Sequence, residues 1–129
     1  MDVFVYGTLT DRRRASTVVD DARFVGRAEL RGLHVVDGRY PTLSPGGSAV
    51  GRILQTDDVA ALDAYEGVEM GLYARISIPR ENGGSVETYV GDPIELGVED
   101  EVRWPGDGPV VDRARGYVDE RDVVVRMRK

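Results

Sequence analysis

Glu66 is the residue of this chain best suited to moving a proton. It ends an apolar-periodic stretch, Asp57-Asp58-Val59-Ala60-Ala61-Leu62-Asp63-Ala64-Tyr65-Glu66-Gly67. On a helix, Val59, Leu62 and Glu66 stand at i, i+3 and i+7, which is one face. Val59 and Leu62 mark that face as directed to the core, so Glu66 is expected to point inward with them. Gly67 is the expected C′ residue of the helix. A carboxylate in the last turn opposes the helix dipole, and partial burial disfavours its charge further. Both effects raise its pKa toward the range of a general acid/base. The residues alone leave open a second reading, in which Glu66 is an exposed helix end or a structural partner of Arg75.

A second group of residues offers backbone rather than side-chain chemistry. Val3-Phe4-Val5-Tyr6 is a β-branched and aromatic run with the length of a buried strand. It stops at Gly7, and Tyr6-Gly7-Thr8-Leu9 can turn N–H groups toward a small anion such as a carboxylate. A plain strand-to-helix turn accounts for the same residues. Tyr40, extended because Pro41 follows it, and Tyr73 each offer a ring and a hydroxyl. Tyr65, Tyr89 and Tyr117 are read as core packing. Arg75 shares a strand face with Tyr73, and a structural pairing with Asp63 is the preferred reading. Asp57 and Asp58 read as helix N-caps, Glu69 as a loop residue, Arg12-Arg13-Arg14 as a solvated helix face, and His34 as a structural histidine.

Composition narrows the chemistry. The 129 residues contain no Cys, which excludes thiolate catalysis and thiolate metal sites, and a single His. No cofactor and no metal are expected. Asp and Glu number 23 against 17 basic residues, for a net charge of -6. An acidic surface with one Lys argues against nucleic-acid binding. No run approaches 18 apolar residues, so no membrane span is expected. The chain opens directly into a strand without a leader pattern, and a cytoplasmic protein is the expectation.

The elements that must hold these residues are many short strands and few helices. Strand-like runs are Val3 to Tyr6, Arg23 to Leu33, Val35-Val36, Ala49 to Gln55, Tyr73 to Pro79, Val86 to Val90, Gly116 to Val118 and Val123 to Met127. Glu81-Asn82-Gly83-Gly84-Ser85 signals a hairpin. Pro45-Gly46-Gly47 and Trp104 to Pro109 read as breaks. Helices are expected near Thr10 to Asp20 and from Asp57 to Glu66. Residues 1–129 are expected to form one domain, α+β in class, a small mainly antiparallel β-barrel or curled sheet with flanking helices.

Val3-Phe4-Val5-Tyr6-Gly7-Thr8-Leu9, Gly38-Arg39-Tyr40-Pro41, Val50-Gly51-Arg52-Ile53-Leu54, Leu62-Asp63-Ala64-Tyr65-Glu66-Gly67 and Tyr73-Ala74-Arg75 follow one another in an order and spacing that resemble the gamma-glutamylcyclotransferase-like superfamily, in particular its AIG2-like and gamma-glutamylamine cyclotransferase branch. The resemblance runs from about Val3 to Tyr89. It implies a compact β-barrel with helices outside it. It also implies a lyase-type cyclisation of a γ-glutamyl amine or amino acid to 5-oxoproline, without cofactor, with Glu66 aligned on the catalytic glutamate. The substrate's charged groups would lie on the backbone of Tyr6, Gly7, Thr8 and Leu9, with Tyr40 and Tyr73 lining the pocket. The expected partner is a small γ-glutamyl molecule; protein partners are not indicated. The alternative is a non-catalytic small-molecule-binding or interaction module on the same fold.

Overall fold

Val3, Phe4 and Val5 occupy the middle of a six-stranded sheet and are all buried. The structure is a computed structural model and describes residues 1–128. Strand β1 (Asp2–Val5) pairs antiparallel with β3 (Thr42–Gln55), from Asp2 opposite Gln55 to Val5 opposite Arg52. On its other side it runs parallel to β5 (Ser85–Gly91), with Val3 beside Glu87. Successive side chains point to opposite faces, and Val3, Phe4 and Val5 are all buried, so both faces of the strand are covered and its apolar run does not alternate.

The sheet order is β4-β5-β1-β3-β2-β6. Strand β2 (Arg23–Val36) and β3 form a long hairpin, and β4 (Tyr73–Pro79) and β5 form a second one. The second hairpin turns at Glu81 to Gly84, where Arg80 N donates to Gly84 O at 3.0 Å. Strand β6 (Val124–Met127) pairs with Ala28 to Arg31 of β2. The sheet curls until its two ends approach: Arg80 bridges to Val125, and Glu81 N donates to Val125 O at 2.9 Å. The result is a curled, mixed, largely antiparallel half-barrel with three α-helices, α+β in class.

Two local expectations are corrected. Pro45-Gly46-Gly47 does not end a strand, because β3 runs through it. The register slips between Arg31/Leu33 opposite Ser48/Pro45, so the two glycines form a bulge, with φ of 98° and 68°. Gly116 to Val118 is not a strand but lies within helix α3 (Val110–Glu120). Ala114 and Val118 are buried at i and i+4, the helical spacing, and Tyr117 packs edge-on against buried Trp104. Gly116, which disfavours a helix by about 1 kcal/mol relative to Ala, obscured that period.

The other two helices are short. Helix α1 (Arg12–Val18) begins at Arg12 rather than Thr10, because the Asp11 carboxylate accepts from Arg13 N and Arg14 N and so caps it. Thr8–Thr10 forms a separate 3-10 turn before it. Helix α2 (Val59–Tyr65) is capped by Asp58, which accepts from Ala61 N at 3.1 Å. Leu62 is fully buried beneath it. Among the described residues no helix is long and apolar enough to cross a membrane.

Candidate active site

Helix α2 stops where Gly67 adopts the left-handed conformation, φ 67° and ψ 37°. Glu66 is the C-cap residue, with its N–H donated to Leu62 O at 2.9 Å. Its side chain follows Leu62 inward and is largely buried. It takes part in no ion pair among the described residues. Burial without a counter-charge pushes its pKa up from the usual 4.5 to about 7.

Arg75 is committed elsewhere. Its Nε stands 3.1 Å from Asp63 Oδ1, off the hydrogen-bond direction and so a charge contact, and its Nη1 bonds Glu87 Oε1 at 3.3 Å. Tyr89 donates to Asp63 at 2.6 Å. Asp63 is therefore tied into a structural cluster, three residues before a carboxylate that is left without a partner.

The turn after β1 borders the same space as Glu66. Gly7, Thr8 and Leu9 lie outside the strand ladder, and no hydrogen bond within the described residues uses their N–H groups. The turn is braced from three sides. Thr10 Oγ1 donates to Gly7 O at 2.6 Å, Thr8 Oγ1 pairs with Tyr65 OH at 2.8 Å, and Arg52 Nη1 donates to Thr10 O at 3.0 Å. Pro41 packs against it: a Cβ on Gly7 would stand 3.2 Å from Pro41 Cγ.

Between these elements lies a cavity of about 450 Å³. Tyr6, Gly7, Thr8, Leu9, Tyr40, Glu66 and Tyr73 all border it, as do Phe4, Val5, Arg14, Pro41, Tyr65, Leu72 and Tyr89. The size falls within the range of small-molecule sites. Tyr6 donates to Tyr89 O at 2.6 Å, and Tyr73 donates to Pro41 O. Both hydroxyls are held well above their ordinary pKa, first by burial, with the Glu66 charge contributing. They stay protonated as donors. Tyr40 is half exposed at the edge. Such a wall of rings with one carboxylate can hold a small zwitterion and exchange a proton with it.

Tyr65 and Tyr89 were read as core packing, yet both border the cavity. Tyr89 is buried as well, so it does both. The hairpin loop of residues 80–84, one residue longer than a tight turn at Asn82-Gly83 allows, is what sets Tyr89 rather than Val90 opposite Arg75. No sequence signal placed Tyr65 or Arg14 at the cavity. Arg12, Arg13 and Arg14 are all exposed, as expected of a solvated helix face, and Arg14 in addition borders the cavity.

The fold is a curled half-barrel whose cavity is bordered by a glutamate and by the turn after β1. The family model described as Gamma-glutamyl cyclotransferase, AIG2-like, matches residues 3–104, and the chain belongs to that family. A solved structure named Gamma-glutamyl cyclotransferase is similar with a TM-score of 0.61 and 17% identity, over 93% of this chain and 98% of that one. An uncharacterized protein from Homo sapiens is similar with a TM-score of 0.62 and 16% identity, over 90% and 96%. At these identities the likeness is one of fold. Protein ytfP from Escherichia coli is 31% identical, with a TM-score of 0.52 over 71% of this chain and 83% of that one. Comparison with curated proteins finds no match.

Proposed function

We propose that this protein converts γ-glutamyl compounds to 5-oxoproline, with Glu66 as general acid/base. The observation that carries this reading is Glu66 itself: a largely buried carboxylate without a counter-charge, of pKa about 7, bordering a small cavity. In the reaction the substrate's α-amino nitrogen attacks its own γ-carbonyl carbon. A five-membered ring closes, and the bond from that carbon to the departing nitrogen breaks. One proton leaves the attacking amine and one reaches the departing nitrogen. A single carboxylate near pKa 7 serves both transfers in turn. Nucleophile and electrophile belong to one molecule, so holding it folded supplies much of the rate.

The N–H groups of Gly7, Thr8 and Leu9 supply donors for the α-carboxylate of the glutamyl half. The tyrosine rings enclose its methylenes and exclude water. Family membership supports the general chemistry. The test is a panel of γ-glutamyl amino acids and γ-glutamyl amines assayed for 5-oxoproline. Release from at least one compound, abolished by Glu66→Gln, is the expected result. Tight binding without release from any compound, in low and high salt, would replace the enzyme by a binding module.

A further inference from the structure

Three arginines follow one another at the start of α1, and only Arg14 borders the cavity. It is exposed, whereas Glu66 lies deeper. Among the described residues the ion pairs of arginine involve Arg31, Arg75, Arg80 and Arg126. Arginine side-chain hydrogen bonds add Arg23, Arg52 and Arg113. The Arg14 guanidinium has no such partner. It is also the only cationic side chain on a cavity wall whose only anion is Glu66.

We propose that Arg14 is a specificity-determining residue that favours γ-glutamyl substrates whose departing group carries a carboxylate. This rests on the reaction described above. Every γ-glutamyl compound has the same glutamyl half, and Glu66 with the Gly7 to Leu9 turn accounts for its charges. The compounds differ in the departing group, which projects from the buried end of the cavity toward the exposed rim. An α-amino acid places a carboxylate one carbon from the departing nitrogen. A guanidinium meets a carboxylate with two parallel N–H donors. An amine offers it nothing, and a departing group with a second ammonium is repelled.

The experiment compares γ-glutamylalanine with γ-glutamylethylamide, which differ only in that carboxylate. 5-Oxoproline release is measured with the wild type, Arg14→Gln and Arg14→Lys. The wild type should favour the dipeptide in kcat/KM by roughly two- to fivefold, the scale of an ion pair at an exposed rim. The preference should sit mainly in KM and shrink with added salt. In Arg14→Gln the ratio should collapse toward one, and Arg14→Lys should keep part of it. An unchanged ratio in Arg14→Gln overturns the proposal. So does an equal loss on both compounds, which would assign Arg14 to the shared glutamyl half. Release from other compounds of the panel but from neither of these overturns this inference and leaves the reaction standing, whereas release from none of the panel overturns both.

Discussion

Arg75 and Asp63 form a charge contact of 3.1 Å, three residues from a carboxylate that takes part in no ion pair among the described residues. Asp63 lies in α2 and Glu66 is its C-cap, three residues on. Arg75 is held between Asp63 and Glu87, and among the described residues Glu66 has no ion pair. One carboxylate becomes a structural tie. The other keeps a raised pKa and an open face to the cavity.

Glu66→Gln preserves shape and removes the proton carrier. Turnover to 5-oxoproline should fall by roughly 10²- to 10⁴-fold while ligand binding persists. Thermal melting and calorimetry on the same preparation separate this from misfolding. Full turnover by the variant would shift the proton transfer to another group.

The pH dependence follows from the same pKa. At about 7 in the folded state against the ordinary 4.5, Glu66 keeps a proton that the unfolded chain has already lost. Its contribution to stability is full below pH 4.5 and is lost as pH rises through 7. A shift of this size corresponds to roughly 3 kcal/mol. The stability advantage of Glu66→Gln over wild type should therefore grow across that window, as read by urea unfolding at several pH values. A constant difference would mean that Glu66 titrates normally. In the wild type, kcat/KM should rise with an apparent pKa near 7, since the base must be ionised.

The Arg75 cluster calls for a double-mutant cycle. Arg75→Gln and Asp63→Asn should each destabilise by about 1 kcal/mol, modest because both side chains are over a quarter exposed. Their coupling should be about 0.5 kcal/mol or more. Strict additivity in urea midpoints would show that the contact contributes nothing.

Gly51 marks where β3 crosses closest to β1. A Cβ there would stand 2.2 Å from the Val5 carbonyl oxygen and 2.8 Å from the Phe4 ring. Backbone cannot step aside without breaking the ladder between Val5 and Arg52. Gly51→Ala should cost about 2 kcal/mol or more, on the scale of overpacked cores. A melting temperature within a degree or two of wild type would refute the close approach.

Gly7→Val tests the turn. Its branched side chain would press on Pro41 and crowd the N–H groups beside it. Binding of a γ-glutamyl compound should weaken by about tenfold, or 1.4 kcal/mol, with the fold retained. Unchanged calorimetric affinity would reduce this turn to a connection.

Much of the architecture was legible because it rests on local pattern. The Val3 to Tyr6 run, the Asn82-Gly83 turn and the 3.6-residue spacing of Val59, Leu62 and Glu66 each encode a strand, a hairpin or a helix face within a few residues. Local pattern misled where two periods overlapped, as at Gly116 to Val118, and where glycines made a bulge rather than a turn, as at Gly46-Gly47. The cavity is a different matter. Thr8 meets Tyr65 across 57 residues of chain, and Tyr6 meets Tyr89 across 83. Spacing along the chain says nothing about such meetings. The sequence by itself determined which groups have the chemistry: a helix-end carboxylate, a glycine turn, tyrosines and arginines. The pairing of Arg75 with Asp63 is the one the strand pattern favours, but only the tertiary structure decided that Glu87 shares Arg75 and that Arg14 stands at the rim. It alone partly buried Glu66, because desolvation and charge pairing depend on what surrounds a group in space.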